Sequence, residues 1–350
     1  MTPTQEFVPT KVLLVGSVAL DTVQEVFHVA GKLLGRRLAR IPDGEPGGRR
    51  AWISWQYPLL RSNVFLTVSS ELSPVAGRFP QLCIADDVDQ EDVRFGELGY
   101  AREARASYLD FLNSRGAGDI ASTARFQVCL PTPLAVISAF CRGKDMLAIE
   151  RAYERAMIDE VIALCKAIPV NDLCIQWDVC NELLMWDGQM PAMVPASFTN
   201  LEQELPPRVA RLVNAVPSGV ECGMHLCYGD FDGKHFAEPR DAGKMTEFAN
   251  AIVDKATRPI GYIHMPVPIT RNDDAFFKPL AELRVHPETE IYLGVVHADG
   301  PTKTKERIAC AAKYVPRFGI ATECGIARKR KPELVRSLLE IHAAASQEPH

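Results

Sequence analysis

The chain has 350 residues, 47% hydrophobic and 24% charged, with 39 Lys and Arg against 44 Asp and Glu and a net charge of -5. That composition excludes a disordered or collagen-like chain. The charge balance excludes a strongly basic nucleic-acid binder on bulk charge, and no apolar run reaches the roughly 18 residues of a membrane-spanning helix.

The opening MTPTQEFVPTK lacks the charged and apolar regions of a signal peptide, so a soluble cytoplasmic protein is expected. Residues 11–17 (KVLLVGS) read as a first strand, and 21–34 as a helix opened by an Asp21-Thr22 cap. A second strand is expected at 37–42. Residues 46–100 are irregular, with PGGRR, Trp52, Trp55 and an acidic stretch. They read as a long insertion folding over a barrel mouth, or alternatively as a short structural hairpin. Further strands are expected at 124–130, 172–178, 219–227, 259–265, 290–296 and 318–323. Helices are expected at 101–113, 144–167, 205–215, 243–256, 303–314 and 332–344, the last with Pro332 at its first position. Eight strands interleaved with helices predict an α/β fold, a single (β/α)8 TIM barrel spanning 1–350 with its insertion after the second strand.

Ten cysteines do not suggest a disulfide framework in so long a chain with no secretion signal. Cys83, Cys129, Cys141, Cys165, Cys174 and Cys310 sit among apolar residues and read as small buried hydrophobes.

In such a barrel the chemistry lies at the C-terminal ends of the strands. The first end carries Gly16-Ser17, the second Asp43-Gly44-Glu45, the fourth Gln176-Trp177-Asp178 with Glu182 beyond. The fifth carries His225-Leu226-Cys227, the sixth His264, the seventh His297, the eighth Cys324-Gly325. Residues i and i+2 of a strand point the same way, so His225 and Cys227 converge, and Cys324 could close on them from across the mouth. Imidazole and thiolate are favoured zinc ligands. The same three residues could be core cysteines beside a satisfied histidine. A zinc ion held by soft ligands would suit activation of a thiol as thiolate, and so alkyl transfer onto sulfur. His297 is a candidate general acid, while Asp178, Glu45 and Glu182 are acceptors able to hold an ammonium. Ser17 could present backbone N–H groups to a carboxylate or simply cap a helix.

The run of motifs VGSVALDT, IPDGEPGGRR, LPTPLAVISAF, IQWD, MHLCYGDF, VVHADGPTKTKERI and ATECG resembles, in order and over roughly residues 11–340, the C-terminal catalytic barrel of cobalamin-independent methionine synthase. The broader superfamily includes uroporphyrinogen decarboxylases. The resemblance implies a zinc-dependent S-methyltransferase whose metal binds through His225, Cys227 and Cys324. It implies that Ser17 contacts the acceptor's carboxylate, that Glu45 and Asp178 hold its amine, and that His297 donates a proton to the leaving group. The family's glutamate ligand has no match in YIHMPVPITRNDD, where His264 is the nearest ligand-capable residue and Asp273 or a solvent molecule is the alternative. AVISAFC lacks the family's pterin-platform tryptophan, which argues against a folate-type donor, and the single-barrel length leaves room for a corrinoid protein as partner. The expectation is therefore transfer of a methyl or other alkyl group to a homocysteine-like thiol. The alternative is a metal-free, uroporphyrinogen decarboxylase-like lyase gripping acidic groups with Arg49, Arg50 and Arg271.

Overall fold

A computed structural model of the chain describes residues 7–72, 79–141, 143–230, 233 and 235–349. Its strands are β1 (Arg40–Pro42), β2 (Leu66–Leu72), β3 (Pro80–Ile84), β4 (Arg125–Pro131), β5 (Leu173–Val179), β6 (Glu221–Leu226), β7 (Tyr262–Pro266), β8 (Glu290–Val296) and β9 (Gly319–Thr322). Seven form one parallel sheet in the order β1-β4-β5-β6-β7-β8-β9, while β2 and β3 make a separate antiparallel pair. Helices fill the crossovers, so the sheet is covered and every residue of β5 is buried.

The expected first strand at 11–17 is not a regular strand. Val12 bridges Leu38 beside β1 and also Ile320 in β9, so this segment joins the two edges of the curled sheet. Further along, the pairing continues only as isolated bonds: Val18 bridges Ile326 beyond β9, and Val18 N donates to Gly44 O in the loop after β1. The second expected strand shrinks to three residues, since Gly35–Arg37 form a 3-10 turn.

The insertion contains short helical turns and the β2–β3 pair. Its middle packs beside helix Pro133–Phe140, where Leu82 bridges Cys141 and the Tyr57 ring lies 5.3 Å from that of Phe140, and its end is tied to helix Met146–Ala167 through Glu160. That helix was not anticipated, although Thr132 caps it by accepting from Ala135 N and Pro133 opens it. Helix Leu201–Ala215 begins earlier than expected, capped by Asn200, and runs through Pro206 and Pro207.

The N-terminal end of the sheet is plugged. Arg40 stacks 4.4 Å over the Tyr262 ring, donates to Tyr292 Oη at 2.9 Å and pairs with Glu221 and Glu290. Gly223 makes room for Tyr262, since a Cβ there would stand 2.1 Å from the ring. With one end filled by side chains, the opposite end of the strands is left for a site. Among the described residues, no helix is long and apolar enough to cross a membrane.

Cys141, Cys174 and Cys310 are buried as expected, but Cys83, Cys129 and Cys165 are only partly so. All ten cysteines are free.

Candidate metal centre at the strand ends

The register of three neighbouring strands builds the site. Asp178 of β5 stands opposite His225 of β6, and His225 opposite His264 of β7. Cys227, two residues past His225, returns to the same face. Its backbone N–H donates to Val179 O at 3.0 Å, continuing the ladder past the strand end. Cys324 follows β9 and arrives from the other side. The ligand-capable atoms of His225, Cys227 and Cys324 all lie within 4.8 Å of one another, and all three residues are buried. The two Sγ atoms are 3.5 Å apart, and Cys324 Sγ is 3.7 Å from His225 Nε2.

A chain of hydrogen bonds sets the tautomer of His225. The carbonyl of Thr322 can only accept, so His264 Nε2, 3.0 Å away, donates to it. Burial pushes the His264 pKa down to about 3, which keeps the ring neutral and makes its Nδ1 an acceptor. That Nδ1 lies 2.7 Å from His225 Nδ1, which must therefore carry the proton. His225 Nε2 is left with its lone pair toward the two thiols, the state a metal-binding histidine needs. Both nitrogens of His264 are thus engaged, and it stands behind His225 rather than beside the thiols.

Among themselves these donors favour their neutral forms. The Cys227 thiol is pushed up first by its contact with Cys180, the Cys324 thiol first by its contact with Cys227, and burial drives His225 well below the usual range. A divalent ion would reverse this by favouring thiolate. Two thiols and one aimed imidazole fit zinc, with room in its tetrahedral shell for another ligand. Gly229 N–H points at Cys227 Sγ from 3.2 Å and Arg328 Nη2 at Cys324 Sγ from 3.7 Å, donors that suit thiolates.

These residues face a pocket of about 390 Å³, counted to its open mouth, whose other walls include Ser17, Glu45, Trp52, Asp178, Cys180, Asp230 and Arg328. Trp52 is the insertion's contribution. Glu45 and Trp52 both have φ of 53°, in the left-handed region unusual for side-chain-bearing residues. Asp43 accepts from Glu45 N at 2.9 Å and fixes that turn. Asp178 is held by Gln176 Nε2 at 2.8 Å. Burial raises the Asp178 pKa to about 7, and burial, then the charges of Asp178 and Asp43, raises that of Glu45 to about 8. Ser17 enters the pocket because residue 325 is glycine, where a Cβ would stand 2.3 Å from Ser17 Oγ.

His297 lies outside this lining. Its Nε2 is 2.8 Å from Val267 O, its Nδ1 is 3.8 Å from Glu323, and burial lowers its pKa to about 4. Glu323 is also 3.5 Å from His235 Nε2. Glu182 is buried next to Thr132 away from the pocket, with burial pushing its pKa to about 7. The anion-gripping arginines are occupied: Arg49 pairs with Asp43 at 2.8 Å and Arg271 with Asp273 at 2.7 Å, while Arg50 bonds to Leu20 O. Asp273 is thereby committed to Arg271. Sequence reasoning missed Cys180, Asp230, Glu323 and Arg328. The first and third adjoin residues it did single out, whereas Arg328 is hidden in ARKRK, which reads as a solvated basic run.

No family model and no curated protein matches the sequence. Comparison with solved structures places the fold: it is the α/β fold of B12-independent methionine synthase structures. The structure of the enzyme from Shewanella sp. W3-18-1, in complex with selenomethionine, aligns at a TM-score of 0.62 with 13% identity, covering 97% of each chain. A Listeria monocytogenes protein assigned as a vitamin-B12 independent methionine synthase aligns at 0.58, also 13% identical, covering 97% of this chain and 98% of that one.

Proposed function

We propose that the protein is a zinc-dependent S-methyltransferase or alkyltransferase with a homocysteine-like thiol acceptor, built as a single (β/α)8 barrel in which the segment joining β1 and β9 takes the place of the eighth strand. The observation that carries this reading is the convergence of His225, Cys227 and Cys324 in a pocket that also presents Asp178, Glu45 and Ser17. The insertion shapes the mouth through Trp52.

Zinc held by His225, Cys227 and Cys324 would supply a thiolate at neutral pH. Asp178 and Glu45 hold the acceptor's ammonium, and its arrival draws their raised pKa values back down. Gln176 keeps the Asp178 carboxylate aimed. Ser17, on the turn beside Gly325, meets the acceptor's carboxylate end. The acceptor sulfur attacks the alkyl carbon. A C–S bond forms, and the donor's bond to that carbon breaks with its electron pair passing to the leaving atom. Glu323, whose pKa burial raises, passes a proton to His297 Nδ1, which hands it to that atom. The Nε2–H of His297 is fixed on Val267 O, which leaves the Nδ1 lone pair on the side of Glu323.

A folate-type donor fits this chain poorly. Residues 135–139, where the resembling barrels carry their aromatic platform, are small or aliphatic and buried. Ten free thiols, two of them 3.5 Å apart, suit the reducing cytoplasm. The ties on Arg49, Arg50 and Arg271 count against the metal-free lyase.

Titrating zinc-loaded protein with L-homocysteine in weak buffer tests the reading. L-Norleucine, which has the amine and carboxylate but no thiol, is titrated beside it: binding as thiolate makes homocysteine release about one proton per site more than norleucine, whose ammonium draws protons from Asp178 and Glu45 alone. Equal proton release by the two ligands, or no binding of homocysteine, contradicts it.

A further inference from the structure

Arg328 is placed where an anionic ligand group would be met. It lines the pocket together with Ser17, Glu45, Asp178 and the three ligand-capable residues. Its side chain is only 21% exposed, and its Nε is buried with no hydrogen-bond partner among the described residues. A guanidinium has five N–H donors, and an unused buried one is costly. The nearest contacts of Arg328 are loose: Cys324 Sγ at 3.7 Å and Asp230 Oδ2 at 3.6 Å.

Asp230 is not a full partner for it. The same Oδ2 takes a 2.8 Å hydrogen bond from Arg330 Nη1, and Oδ1 takes the backbone N–H of Gly233 at 2.8 Å. One carboxylate thus serves two guanidiniums, and the tight pair is with Arg330, away from the pocket lining. Asp230 therefore offsets the charge of Arg328 only in part, and Arg328 lines the pocket beside Glu45 and the two thiols. Carboxylates are the natural complement of the planar guanidinium fork.

We infer that Arg328 receives the carboxylate of the acceptor, so that the site selects thiols carrying an anion as well as an ammonium. The inference rests on the thiol-acceptor reading above and adds to it a residue that discriminates amino-acid thiols from neutral or purely cationic ones. A single ligand would then span three anchors: sulfur at His225, Cys227 and Cys324, ammonium at Asp178 and Glu45, and carboxylate at Arg328 with Ser17.

The test compares L-homocysteine with L-homocysteinamide, which keeps the thiol and the amine but lacks the anion. Binding to zinc-loaded wild type, Arg328→Gln and Arg328→Lys is measured by calorimetry, with zinc content assayed for each. Wild type is expected to prefer homocysteine by roughly 10- to 100-fold, the range of a charge-assisted pair. Arg328→Gln loses that preference by weakening homocysteine alone, and Arg328→Lys keeps part of it. Equal weakening of both ligands, or loss of zinc from Arg328→Gln, overturns the inference and leaves Arg328 as a support for Cys324. If wild type binds neither thiol, the thiol-acceptor reading itself falls, and the inference with it.

Discussion

His225 Nδ1 lies 2.7 Å from His264 Nδ1, and this contact decides which nitrogen of His225 faces the thiols. His264 is in turn anchored on Thr322 O, two residues before Cys324. Replacing His264 by Leu keeps most of its volume and removes the anchor. Zinc affinity, measured by competition with a chelator, is expected to fall about 10- to 100-fold. A loss as large as that of His225→Ala would instead make His264 a ligand. No loss would show that His225 is aimed by something else.

Glu45 and Asp178 give the site a pH signature. With raised pKa values of about 8 and about 7, both are largely protonated at the acid side of neutrality when the pocket is empty. An ammonium ligand needs them ionised, so its affinity rises with pH and levels off above the higher value, until the ligand amine deprotonates. The stability sign is opposite. The unfolded acids ionise near pH 4, so between there and the folded-state values the folded chain holds more protons and loses stability as pH rises. Glu45→Gln is expected to stabilise the chain at pH 8 by on the order of 1–3 kcal/mol, read from thermal unfolding, while flattening the pH dependence of ligand affinity. Unchanged stability together with unchanged ligand affinity would remove Glu45 from the site.

In the proposed mechanism His297 acts in the transfer step and not in acceptor binding. His297→Asn should lower kcat by about 10²- to 10⁴-fold while leaving acceptor affinity within about two-fold. An equal loss in both would make it a structural or binding residue.

Gly325 is tested through its neighbour. Gly325→Ala places a Cβ against Ser17 Oγ, and Ser17 must move. Acceptor binding should weaken by roughly 1–3 kcal/mol, the usual cost of overpacking, with zinc retained. Undiminished binding would mean that Ser17 plays no part in holding the acceptor.

Much of this was legible in the sequence because the relevant signals are local. His225 and Cys227 share a strand face through the two-residue period alone, and the alternation of short apolar runs with amphipathic stretches placed seven strands closely enough to put polar residues at their ends. Where bonding is long-range, the sequence was mute. Residues 11–17 are as apolar as any strand, yet Val12 divides its bridges between two edges and Val18 bonds into loops. The β2–β3 pair was readable in principle, since LTVSS and PQLCI are strand-like, but the glycines and charges around them suggested irregular chain. The orienting role of His264 depends on the Thr322 carbonyl 58 positions away. The looseness of the Arg328 pairing depends on how Asp230 is shared with Arg330. Neither leaves a trace in local pattern.

The proposed function turns on whether His225, Cys227 and Cys324 bind one catalytic zinc. The direct measurement is the metal content of untagged protein purified without chelator, beside Cys227→Ser, with folding of both followed by circular dichroism. About one zinc per chain is expected in the wild type and little in the folded variant. A wild type that holds no zinc and takes up none when it is offered, or a Cys227→Ser protein that keeps its full complement, would contradict it.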